Sequence, residues 1–266
     1  MNLRPLLLLL PLGAFAQEDP WEDDAWEEDW VEEETGLVWN GFVEAAYGTR
    51  FSEDPLIDNR STLEDLRWRI ETEWLFDDIT LSLKADAGYD GIEDDWIADV
   101  RDLTMSFPIG ESVDVKVGRQ VQTWGTGDLV FLNDLFPKDY VSFFAGRDDE
   151  YLKAPGNAIR VTKYSDAINV DFVWTPVFEP DVYITGERFS FYSAAAGGNI
   201  APDPPFKAPE PDEKFSNGEF ALRLYKTVES TEYAFYAYRG FSKQPFFVPM
   251  NMLPYFKSRE SFPGRY

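Results

Sequence analysis

LEDLRWRIETEWLFDDITLSLKADAG, residues 63–88, decides the fold. Leu66, Trp68, Ile70, Thr72, Trp74 and Phe76 fall on one face of an extended chain, and Arg67, Arg69, Glu71 and Glu73 on the other. After Asp77-Asp78 the pattern resumes. Ile79, Leu81, Leu83, Ala85 and Ala87 form an apolar row, with Thr80, Ser82, Lys84 and Asp86 opposite. Strict alternation of this kind specifies β-strands with one face in water and one out of it. A strand in a soluble domain averages about 5–6 residues, whereas one that crosses a bilayer needs roughly 9–11. The first strand here runs past ten.

The same period extends in both directions. Leu37–Thr49 turns Leu37, Trp39, Gly41, Val43, Ala45 and Tyr47 one way, and Asn40 and Glu44 the other. Trp96–Phe107 carries the row Leu103, Met105 and Phe107. Val113–Gln122 sets Val113, Val115 and Val117 against Asp114, Lys116, Gln120 and Gln122. Asn157–Lys163 with Ile168–Thr175, and Gly218–Lys226 with Thr231–Arg239, read as two further hairpins. In the last strand aromatics occupy both faces, so its phase stays open. The connections are expected to alternate: long at 50–62, 89–95, 123–156 and 176–216, short at 77–78, 108–112, 164–167 and 227–230. Barrels of the outer membrane pair short periplasmic turns with long extracellular loops in this way. The expected fold is therefore all-β: an antiparallel transmembrane β-barrel, incomplete, with about nine strands. Because such barrels have even strand numbers and the chain ends irregularly after Arg239, the sequence reads as the amino-terminal part of a larger wall, or as one completed by a partner.

Composition agrees. Residues 1–16 (MNLRPLLLLLPLGAFA) combine Arg4, the apolar run Leu6–Leu12 and an Ala14-Phe15-Ala16 cleavage site. That is a secretory signal peptide, which places the mature chain outside the inner membrane. Residues 17–36 are acidic and punctuated by Trp21, Trp26 and Trp30, and like-charge repulsion favours a disordered periplasmic segment. Residues 37–266 form the barrel portion. Aromatic residues make up 17%, with 9 Trp and 13 Tyr, as interfacial girdles require. There is no Cys and no His, which removes disulfides, thiolate or imidazole zinc sites and His-dependent nucleophilic catalysis. A net charge of −25 argues against a nucleic-acid partner. No catalytic residue, metal site or cofactor is expected.

One stretch carries a family likeness. Gly118-Arg119-Gln120 is followed by Trp124-Gly125 and then by Asn133-Asp134-Leu135-Phe136-Pro137-Lys138-Asp139. This resembles a group of large proteobacterial outer-membrane porin-like proteins with a G-R-Q, a W-G pair and an N-P-x-D element. It is similar, more loosely, to the alginate-export porins. The third element departs from the pattern, reading LFPKD. The resemblance implies a bacterial outer-membrane location, with a lipid bilayer and the barrel-assembly machinery as partners, and says little about substrate.

Read from the residues themselves, Gly118, Gly125 and Gly127 free the chain to leave the wall. Phe131, Leu132, Leu135 and Phe136 then fold the loop inward as a constriction pinned by Arg119, Gln120, Trp124 and Asp139. The inward rows supply a pore lining of both signs: Arg67, Arg69, Lys84, Lys116, Arg160 and Arg223 against Glu71, Glu73, Asp86, Asp114 and Asp171. Opposed charges across a wet lumen filter polar solutes; in a narrow barrel the same charges bridge one another and seal it. The expected function is thus a porin-like channel for passive passage of small polar or charged solutes, anionic ones included, with a non-conducting structural or adhesive barrel as the alternative and a hydrolase a distant third.

Overall fold

The computed structural model describes residues 37–124, 131 and 134–245. The signal peptide, the acidic segment 17–36, Gly125, Gly127, Leu132 and Asn133 lie outside the described residues.

Nine strands form one sheet: β1 (Val38–Thr49), β2 (Ser61–Phe76), β3 (Ile79–Asp90), β4 (Asp95–Ile109), β5 (Val113–Val121), β6 (Pro155–Lys163), β7 (Asn169–Thr175), β10 (Glu219–Val228) and β11 (Thr231–Arg239). Between β7 and β10 a small hairpin, β8 (Phe191–Ser193) and β9 (Gly198–Ile200), decorates a long loop. The sheet order follows the chain, and each neighbouring pair is antiparallel. The all-β, antiparallel reading holds. No helix among the described residues is long and apolar enough to cross a membrane.

The opening stretch pairs as its alternation requires, from Phe76↔Ile79 to Asp65↔Asp90. Asp77 sits at φ +48° in the two-residue turn, a conformation that Asp tolerates better than most residues. One connection is corrected. The expected loop 89–95 shrinks to 91–94, because pairing continues through Tyr89↔Trp96 and Asp90↔Asp95. Asp90 closes the turn by accepting from the backbone N–H groups of Ile92 and Glu93. Polar side chains at a strand end do not stop a strand whose end stands in water. Long and short connections therefore alternate less regularly than expected.

Burial is inverted relative to a water-soluble protein. Arg69 is 3% exposed and Asp171 1%, while Trp39 is 56%, Tyr47 72% and Trp96 75% exposed. The outward face is a broad apolar sheet including Val43, Ile70, Leu81 and Leu103. A surface of this kind marks a membrane or partner contact. Aromatics flank it at both ends: Trp39, Trp74 and Phe76 toward the short turns, Tyr47, Tyr89 and Trp96 toward the loops. From Trp74 to Leu66, which lies opposite Tyr89, the strand advances about 27 Å at about 3.4 Å per residue. Tilted by about 40°, that spans about 21 Å, close to the roughly 25 Å apolar band of outer-membrane barrels.

Gly118 is required by geometry. Its φ is +131°, and a Cβ there would stand 2.1 Å from the Leu103 carbonyl oxygen. That close approach joins β5 to β4 just before the chain leaves the wall.

Candidate functional site

The site is the polar face of the sheet together with the loop between β5 and β6, which folds back onto it. Trp124 starts the return. Its indole Nε1 donates to Asp171 Oδ2 at 2.8 Å, and its ring meets Phe136 edge-on at 5.0 Å. Trp124, Phe136, Ala158, Val173 and Ala221 make a compact apolar cluster, with Leu135, Tyr236 and Tyr238 packed against it. Tyr236 and Tyr238 thus settle the phase of β11: they face inward, while Tyr233 and Phe235 are exposed.

Farther along, helix α1 (Tyr140–Ala145) is set by its caps. The Asp139 carboxylate accepts from the Ser142 backbone N–H at 2.7 Å, and Gly146 ends the helix at φ +78°. Such an acidic N-cap with a left-handed glycine at the other end is a local signal that sequence can carry. A 3-10 turn, Asp149–Leu152, follows, begun by Asp148 accepting from the Glu150 N–H.

This turn docks on the basic wall. Tyr151 is 3% exposed. The guanidinium carbons of Arg67, Arg69 and Arg101 lie 4.7, 5.0 and 5.0 Å from the centre of its ring. Glu150 pairs with Arg69, reaches Lys84 at 3.3 Å and lies 3.8 Å from Arg101 Nε. Arg147 holds the loop from the other side, through Asp65 at 2.8 Å and Asp90 at 3.0 Å. Desolvated cation–π contacts contribute about 2 kcal/mol each, so the docking is firm.

The structure brings most of the pore-lining candidates onto this one face, as ion pairs. Arg67 meets Asp65, Arg69 meets Asp86, and Lys84 meets Glu71 at 3.2 Å. Lys116 meets Asp102 at 3.0 Å. Arg160 reaches Asp171 through Nε at 2.9 Å, and Arg223 meets Glu232 at 2.6 Å. Toward the short turns the same face borders two open cavities of about 460 Å³ each. Glu71, Glu73, Lys84 and Asp102 border the first, Asp114, Arg160 and Thr162 the second, and Lys116 borders both.

The expected constriction residues separate. Trp124 anchors the loop and Asp139 caps α1. Gln120 donates to the Ala158 carbonyl within the wall at 3.3 Å. Arg119 bonds the Val100 carbonyl at 2.7 Å and Glu179 at 3.1 Å, joining β4 to the loop that follows β7. Phe131 packs edge-on against Tyr140 and Phe143.

Sequence reasoning missed Arg101, Arg147, Glu150, Tyr151 and Arg188. Arg101 was hidden by a register shift. Lys84 pairs with Asp102 and Ala85 with Val100, so Arg101 is an extra residue and turns inward beside Asp102. A β-bulge of this kind breaks the two-residue period. Arg188 crosses from the second long loop to the Thr62 carbonyl, at 2.9 Å, and to Asp90. No local pattern announces such a contact.

Where the two long loops meet, Asp181 is 4% exposed and accepts from the Lys138 backbone N–H at 2.8 Å. Burial pushes its carboxyl from 3.8 up to about 6 despite Lys138 and Lys243 nearby. Burial also pulls the Lys138 ammonium below its ordinary range. A carboxyl whose folded pKa exceeds its unfolded one favours the fold while protonated. Stability from Asp181 is therefore full below about pH 4 and is lost as pH rises through about 6,. The displacement from 3.8 to about 6 corresponds to about 3 kcal/mol,. Asp181→Asn is expected to raise the urea midpoint at pH 7.5 and leave it nearly unchanged at pH 4. A lower midpoint at pH 7.5 would show that the ionised form is the one the fold wants.

Among the described residues no three carboxylates converge as a metal site. No protein-family model matches the chain, and no curated protein matches it in sequence.

Proposed function

We propose that this chain forms wall and constriction loop of a porin-like outer-membrane channel for small polar solutes, in keeping with the leader and the G-R-Q and W-G likeness. One observation carries the reading. The charged face is partly covered by an infolded loop and still borders open cavities, while the apolar, aromatic-flanked face lies bare. A soluble protein would bury the second face and expose the first.

Closure of the wall belongs to the proposal. Among the described residues β1 and β11 each have one hydrogen-bonded neighbour. In hydrocarbon their free amides need partners. Nine strands in antiparallel succession leave both edges running the same way. An all-antiparallel wall would then be completed by an odd number of further strands, from this polypeptide or another.

Reconstitution tests the reading. The chain together with whatever strands complete its wall, folded in detergent and added to a planar bilayer, is expected to give stepwise currents. A well-folded monomer that stays in solution without detergent would overturn the membrane assignment. A membrane that stays sealed around folded protein would favour a structural or adhesive barrel.

A further inference from the structure

We infer that the passage selects cations over anions. The inference rests on the channel reading and concerns the charge that pairing leaves over. Each basic side chain on the inward face of the nine strands, among the described residues, has a carboxylate within ion-pair distance. A guanidinium or ammonium so engaged offers little net positive field to a passing solute.

The carboxylates are not all so engaged. Glu44, Glu73 and Asp114 share the inward face, and among the described residues none of them has a basic side chain within ion-pair distance. Glu44 stands opposite Arg67 in the strand register, yet Arg67 turns to Asp65 instead, at 2.9 Å. Glu73 has only a long 3.5 Å contact from the Ser82 hydroxyl. Asp114 hydrogen-bonds the Tyr164 phenol. These three do not form a cluster. Asp114 and Glu73 border different cavities near the short turns. Glu44 lies toward the docked loop, opposite Arg67, whose guanidinium stacks on Tyr151.

A route from the cavities to the loop therefore passes dispersed negative charge whose positive counterpart is already spent in pairs. Low-dielectric walls concentrate such a field along a narrow passage. Glu150 adds a further carboxylate against Arg69, Lys84 and Arg101. The solute class favoured is small cations.

The zero-current potential in a KCl gradient reads this out. Potassium is expected to permeate several-fold better than chloride near 0.1 M salt, where charges act over about 10 Å, with the ratio falling toward one at 1 M, where that reach is about 3 Å. Glu73→Gln with Asp114→Asn should bring the ratio at least twofold closer to one. Neither residue makes an ion pair, so folding should survive, as a heat-dependent gel shift would verify. A chloride preference, or a double variant with an unaltered ratio, overturns the inference alone. A silent membrane overturns the channel reading and carries this inference with it.

Discussion

Asp171→Ala is expected to lower the unfolding free energy by about 3 kcal/mol, measured as the urea midpoint of protein folded in lipid vesicles. Asp171 is 1% exposed. Its two oxygens accept from Arg160, from the Trp124 indole at 2.8 Å and from the Thr162 hydroxyl at 3.2 Å. Removing the carboxylate strands a cation and two neutral donors. Breaking one partner of a buried pair costs about 3–5 kcal/mol. The Arg160 side chain keeps 32% of its surface exposed and can turn to water, which argues for the lower end. Asp171→Asn should fall between, since an amide oxygen still accepts from Trp124 but loses the charge that Arg160 seeks. Because Trp124 is the first anchor of the infolded loop, the alanine variant should loosen that loop as well as the sheet. A midpoint within about 1 kcal/mol of wild type would remove Asp171 from the centre of this account.

Tyr151→Ala should open the loop. The ring is 3% exposed among three guanidinium groups. Deleting a large buried side chain typically costs about 3–5 kcal/mol, and here the cation–π attraction goes with it. If the loop opens and recloses faster than trypsin cuts, cleavage tracks the open population. A loss of about 3 kcal/mol then means about a hundredfold faster cleavage after Arg147 or Lys153. Tyr151→Phe is the informative control. The hydroxyl is buried without a hydrogen-bond partner, so its removal should leave protection unchanged or slightly improved. If the alanine variant stays protected, the Arg147 pairs with Asp65 and Asp90 hold the loop without help from the ring.

Much of the wall was legible in advance. The β2–β3 hairpin needed only its period and an Asp-Asp turn. The inward phase of Arg67, Arg69, Lys84, Asp86, Lys116, Arg160 and Asp171 followed from side chains alternating across a pleat. Helix α1, capped by Asp139 and Gly146, was not expected within the connection 123–156. Arg119, expected to bond carbonyls or carboxylates of a neighbouring loop, reaches the Val100 carbonyl and the Glu179 carboxylate, while Gln120 bonds the Ala158 carbonyl within the sheet. Their residue types fixed that they would need partners, but not which ones.

What the sequence determined by itself is the orientation of each strand's two faces, because that depends on neighbours two residues apart on one backbone. What only the tertiary structure decided is which charges meet. Glu150 finds Arg69 across 81 residues, and Arg188 finds Asp90 across 98. One inserted residue at Arg101 turns a side chain from the apolar face to the polar one. Such contacts arise from the shape of the folded sheet and from the carboxylates left when each cation has chosen its nearest partner. Pairing of that kind is a property of positions in space, to which a local period is blind.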